Sequence, residues 1–291
     1  MPVRRAARLL ALALAQVLAG CGQPAPKPPP PAPAIWQVTT PGGQQGWLFG
    51  TIHALPDGYD WRTPQVTQAL DQSGVLVFEV ANLQDSAAAA REFAARSTSP
   101  GLPPILARVP ATDRAALAEA LDNADIAPAS LARTESWAAA LLLANAAADG
   151  LDSANGVDRA LLAQGRPVIG LESFARQFDL FDRLTPQDQS VLLVEAARET
   201  DGADEETELA RAWLRGDIAR LEREDKTGIL ADPELRAALL VGRNRDWAAR
   251  IAPLLDQGRR PFVAVGAGHM LGPDGLPALL AARGYRVERL R

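Results

Sequence analysis

Apolar residues in this chain fall into short runs near the two ends and into helix-spaced sets through the middle. The strand-sized runs are Ile35–Thr39, Gly46–Gly50, Val75–Val80, Pro167–Gly170, Pro261–Val265 and Tyr285–Leu290, each bounded by Gly, Pro or Asp. Pro41-Gly42-Gly43 separates the first two in the manner of a hairpin. Between the others lie Ala- and Leu-rich stretches of helical period, many opened by a capping residue: Thr63–Ser73, Thr112–Asn123, Thr134–Ala148, Ser153–Gln164, Thr185–Glu199 and Asp204–Leu214. Asp232-Pro233 starts a long helix to about Leu255, and Pro273–Arg283 precedes the last strand. The pattern predicts an α/β protein. A mixed sheet core is built from the N- and C-terminal segments, and the largely helical middle forms a layer or cap.

The first residues do not belong to that fold. Arg4, Arg5 and Arg8 precede an apolar stretch, Leu9–Leu18, which ends in Leu18-Ala19-Gly20-Cys21. This predicts residues 1–20 as a lipoprotein signal peptide and Cys21 as the lipidated residue of a membrane anchor. Cys21 is the only cysteine, so no disulfide or thiolate site forms elsewhere. By similarity to lipoprotein sorting rules, Gly22 after the cysteine directs the protein to the outer membrane of a Gram-negative cell, facing the periplasm. Residues 21–34 read as an anchor and Pro-rich tether that is extended and packs no core. The globular part is then 35–291. Loss of the three arginines takes the formal charge from −5 to −8, which disfavours nucleic acid and anionic lipid as partners.

Chemistry concentrates at four strand ends. The chain has two histidines, and each closes a Gly-x-x-His motif after an apolar run: WLFGTIH to His53 and FVAVGAGH to His269. At a glycine frequency of about 7% this coincidence arises by chance in about one chain in 200. Glu79 ends the run from Val75 and has apolar neighbours, so it is paired or coordinated, as a ligand or in an ion pair with an arginine. Glu172 follows the run from Val168, where Glu-Ser also suits a helix start. Open α/β sheets collect ligands outside the carboxyl ends of their strands. No Gly-x-Ser-x-Gly elbow, P-loop or His-Glu-x-x-His is present. What remains is histidine–carboxylate chemistry: a water activated by a metal held by His and Glu, or a histidine general base oriented by a carboxylate. Two histidines and one or two carboxylates suit several divalent metals.

The ordered set Trp36, LFGTIH, Phe78-Glu79, Gly156-Val157-Asp158, GLES from Gly170 to Ser173, Arg243-Asn244 with Trp247, and VAVGAGHMLGPDGLPALLAARGYRVERL resembles the TraB/GumN family, related to the Tiki metalloproteases. The likeness spans essentially all of 35–291. It implies a fold similar to that of erythromycin esterases and ChaN-like haem-binding lipoproteins. It also implies a hydrolase centre of His53, Glu79 and His269 with a divalent metal such as Mn, Co or Zn. Glu172, Arg243 and Asn244 fall in further family motifs and are expected behind the ligands or against a peptide or small-molecule substrate. The family often has Glu-Arg-Asn where this chain has Gly242-Arg243-Asn244, so any role of that glutamate is absent or filled by another residue. A ChaN-like reading as a haem- or ligand-binding lipoprotein would draw an axial ligand from Tyr59 or Tyr285, the two tyrosines of the chain.

Overall fold

A computed structural model describes residues 30–52, 55, 60–147, 156–198 and 203–290. Cys21, the signal segment, His53 and Tyr59 lie outside the described residues. The strands are β1 (Ile35–Thr39), β2 (Gln45–Thr51), β3 (Val75–Val80), β4 (Val168–Glu172), β5 (Pro261–Gly266) and β6 (Arg286–Arg289). They form a mixed six-stranded sheet in the order β4-β3-β5-β2-β1-β6. The four strands β4, β3, β5 and β2 are parallel, and β1 runs antiparallel to both β2 and β6. The expected hairpin joins β1 to β2. Its turn closes through Thr40 N–H to the Gln44 carbonyl (2.8 Å) and Gly43 N–H to the Thr40 carbonyl (2.9 Å). Gly43 sits there at φ +86°, a conformation that glycine adopts without strain.

The central strands β3 and β5 are almost wholly apolar because both faces of the sheet are covered there. With side chains alternating along each strand, Trp47, Phe49, Phe78, Phe262 and Ala264 face one side. They meet Val66 and Leu70 of the helix Pro64–Gln72, Val157 and Leu161 of Val157–Leu162, and Trp213 of Ala203–Leu214. Leu48, Val75, Val77, Val263 and Val265 face the other side. There they meet Trp247, Ile251 and Leu255 of Gly242–Asp256 and Leu276 and Leu280 of Leu276–Ala282. The helical middle has a core of its own, in which Leu117, Leu121, Leu143, Leu192 and Leu193 pack around Trp137. Phe93, Phe178 and Phe181 surround that indole at centroid distances of 5.6–6.1 Å.

Three details differ from the sequence pattern. The end of the Pro-rich segment is part of the fold: Ala32 N–H donates to the Leu214 carbonyl at 2.6 Å, and Pro33 and Ala34 are buried. A proline-rich stretch lacks the donors for a sheet, but its rings and methyls still bury well against a helix end. β4 runs two residues beyond Gly170, so Glu172 lies within the strand end, and Ser173 caps the next helix by accepting from Arg176 N–H. Finally, the long helix from Pro233 is interrupted by a π-helical turn, Ala237–Val241, before it continues as Gly242–Asp256. The extra residue of such a turn rotates everything after it by roughly 100° about the axis.

Candidate functional site

Parallel register brings the strand ends to one edge. Phe78 pairs with Ala264, Val80 with Glu172, Gly50 with Val265 and Thr51 with Gly266. The glycines of the two Gly-x-x-His motifs therefore lie one register step apart on adjacent strands. A Cβ placed on Gly50 would come within 2.9 Å of Ala267 Cα, so the two turns touch through their backbones. Trp213, across the sheet face, donates its indole N–H to the Gly50 carbonyl at 2.8 Å and fixes the end of β2.

His269 leaves β5 through the short 3-10 turn Ala267–Met270 and is buried. Its ring is fixed from behind by Asn244, which is fully buried. Asn244 donates through Nδ2 to the Asp274 carbonyl (2.8 Å), which turns Oδ1 toward His269 Nδ1 at 2.6 Å. An amide oxygen only accepts, so the network assigns the ring proton to Nδ1 and leaves the lone pair on Nε2. Nε2 points at Glu79, whose Oε1 is 4.0 Å away. The imidazole also packs on Trp247, with centroids 4.3 Å apart.

Glu79 is held on three sides. Its Oε1 accepts from Gly266 N–H at 2.9 Å, and Oε2 accepts from Gln177 Nε2 at 3.3 Å and Arg243 Nη2 at 2.7 Å. The same Nη2 contacts Glu172 Oε1, and Arg243 Nη1 lies 3.4 Å from His269 Nε2. The guanidinium lies over the Trp247 ring at 4.6 Å. Burial works against the Arg243 cation, but Glu79 and Glu172 outweigh it and hold its pKa above the usual arginine value. It stays charged throughout the working range. The π turn makes this cluster possible, since it sets the phase in which Arg243, Asn244 and Trp247 share the face turned to the strand ends. Gly242 suits that turn: its N–H closes the wide loop on the Ala237 carbonyl, and a Cβ would stand 3.1 Å from that oxygen. A cavity of about 210 Å³ opens beside Glu79, lined by Phe78, Val80, Leu83, Asp158 and Gln177.

The model of the TraB/PrgY/gumN family matches residues 34–289. The chain belongs to the TraB/PrgY/gumN family. No match was found among curated proteins or among solved structures. Within this TraB/PrgY/gumN domain, Glu79, Glu172, Arg243, Asn244 and His269 come together, whereas His53 falls just past the end of β2 and outside the described residues. Arg243 takes two carboxylate partners from the sheet, one on β3 and one on β4.

Asp158 and Gln177 were not expected to line the site. Asp158 had a usable signal, its place in the Gly-Val-Asp motif, and it is buried. Gln177 had none, because a glutamine one turn into an amphipathic helix reads as surface. Tyr285 donates to Asp256, at the far end of the helix that begins at Gly242, roughly 20 Å from Arg243 at 1.5 Å per residue. It is no axial ligand for this site.

Two of the described donors are of the kind a divalent cation takes. They are a lone-pair imidazole nitrogen whose other nitrogen is hydrogen-bonded, as metal-binding histidines usually are, and a carboxylate oxygen 4.0 Å from it. Among the described residues no group of three or more His, Cys, Asp or Glu side chains gathers at ligand distance. The third expected donor, His53, is not among them.

Proposed function

We propose that this TraB/PrgY/gumN protein is a hydrolase, peptidase-like in its chemistry, and that His269, Glu79 and His53 hold a divalent metal. The observation that carries the reading is the Asp274–Asn244–His269 relay, which leaves the Nε2 lone pair facing the Glu79 carboxylate. A bound ion would supply Lewis-acid polarisation of the scissile carbonyl and a more acidic water. Glu79 would act through Oε1, the oxygen nearest His269, either as a ligand or as the acceptor of a water's proton. Arg243 holds Glu79 in place through Oε2 and offers positive charge to the anion that develops as the carbonyl is attacked. Gln177 and the cavity beside Glu79 receive the substrate.

The test uses tag-free protein, so that no added histidines contribute. Metal content by ICP-MS and cleavage of a mixed peptide library, followed by mass spectrometry, are compared for wild type, His269→Ala and Glu79→Gln. Stoichiometric metal and cleavage in wild type, both lost in the variants, are expected. A metal-free, inactive wild type sinks the proposal.

One observation favours a second reading. Arg243 Nη1 stands 3.4 Å from the same lone pair, so His269 can serve as a general base beside a fixed cation without any ion. Cleavage that survives exhaustive chelation, with no metal retained, selects this alternative.

The lipobox-like segment and Cys21 support an anchored protein that faces the periplasm from the outer membrane. Among the described residues no helix is long and apolar enough to cross a membrane.

A further inference from the structure

Arg243 already contacts, as a cation, both described donors. Its Nη2 holds Glu79 Oε2 at 2.7 Å and contacts Glu172, and its Nη1 faces His269 Nε2 at 3.4 Å. A guanidinium has no lone pair to contribute. It therefore cannot assist an ion there, and its charge opposes one. Its mooring is independent of Glu79: the Glu172 side chain is fully buried against it, the Leu239 carbonyl accepts from Nη1 at 3.3 Å, and Trp247 lies beneath its plane. Glu79 is the partner that can be exchanged, being the more exposed carboxylate at the cavity wall.

We propose that Arg243 is a resident competitor that sets the metal affinity of the site: an incoming divalent cation must draw Glu79 away from the guanidinium. The inference rests on the reading of His269 and Glu79 as metal donors. Two cations a few ångströms apart in a partly buried site repel by more than enough to change affinity tenfold. Arg243 thereby makes the site weaker than its donor set alone allows, and keeps Glu79 and Glu172 from repelling one another while the site is empty.

Titration calorimetry with MnCl₂, and separately ZnCl₂, into chelator-stripped, tag-free full-length protein tests this. Arg243→Gln is expected to bind at least about tenfold more tightly than wild type. Because that variant leaves a buried carboxylate unmatched and can fold poorly, the double variant Arg243→Gln/Glu172→Gln is measured beside it. It keeps the net charge of the site, frees Glu79, and is also expected to bind more tightly than wild type. Binding by wild type with no gain in either variant overturns the inference alone. No binding by wild type or either variant removes the metal reading, and the inference with it.

Discussion

At the scale of single residues, two carboxylates share one arginine but are not equivalent. Glu172 has a side chain with no exposed surface, whereas Glu79 stands at the cavity wall with further partners in Gln177 and Gly266. Removing one member of a buried pair typically costs about 3–5 kcal/mol, and Glu172→Leu should lie in that range by chemical denaturation. Glu79→Gln keeps the shape and leaves Glu172 on Arg243, so about 1–2 kcal/mol is expected. Equal losses would mean that Glu79 is as structural as Glu172. Asn244 permits a sharper test, since the chain has two histidines and their imidazole nitrogens are readily resolved by ¹⁵N NMR. Wild type should show one histidine as the Nδ1–H tautomer. In Asn244→Ala that signal should become a tautomer mixture, with metal affinity down about 10–100-fold, and Asn244→Asp should restore the tautomer. A wild-type His269 protonated on Nε2 would refute the relay.

Among elements, the decisive contacts are between glycines and neighbouring backbone. Gly50 and Gly266 end adjacent parallel strands, and each excludes a side chain for a different reason. A Cβ on Gly50 would press on Ala267 Cα, which has no flexible end to give way. Gly50→Ala should therefore push the two turns apart at a cost of about 1–3 kcal/mol. A Cβ on Gly266 would instead meet Glu79 Oε1 at 3.3 Å and His269 Cδ2 at 3.7 Å, both on side chains. Gly266→Ala should melt within a few degrees of wild type yet lose metal affinity and peptide cleavage. The opposite ranking, with Gly266→Ala the less stable variant, would show that the turn is packed for stability rather than for the site. The Gly-x-x-His spacing was legible as a motif. That Gly50 would press on the turn after Gly266, and Gly266 on Glu79, depended on the registers of β5 with β2 and β3.

For the whole molecule, the sequence places a globular domain behind a lipobox and a Pro-rich lead. Expressed in full in a Gram-negative host, the protein should fractionate with membranes and be released by detergent, and Cys21→Ser should appear in the soluble periplasm. A soluble wild type would refute the anchor. The lead is shorter than composition implies. Its last residues pack beside Leu214, so deletion through Ala34 should lower the melting temperature while deletion through Pro30 should not.

Local chemistry was enough to determine much of this protein. Runs buried on both faces must be apolar at successive positions, which marks central strands such as β3 and β5. Thr63 and Asp232 announce helix starts because their side chains accept from the first free N–H groups. Glycines before histidines mark tight turns at strand ends. Tertiary structure decided the rest. Glu79 could equally have been a ligand or half of an ion pair, and the choice of partner depended on a helix more than 160 positions away. The π turn that aims Arg243, Asn244 and Trp247 has no local signature, because one added residue changes phase without changing composition. The tautomer of His269 depended on the Asp274 carbonyl, a backbone group whose direction no side-chain pattern encodes.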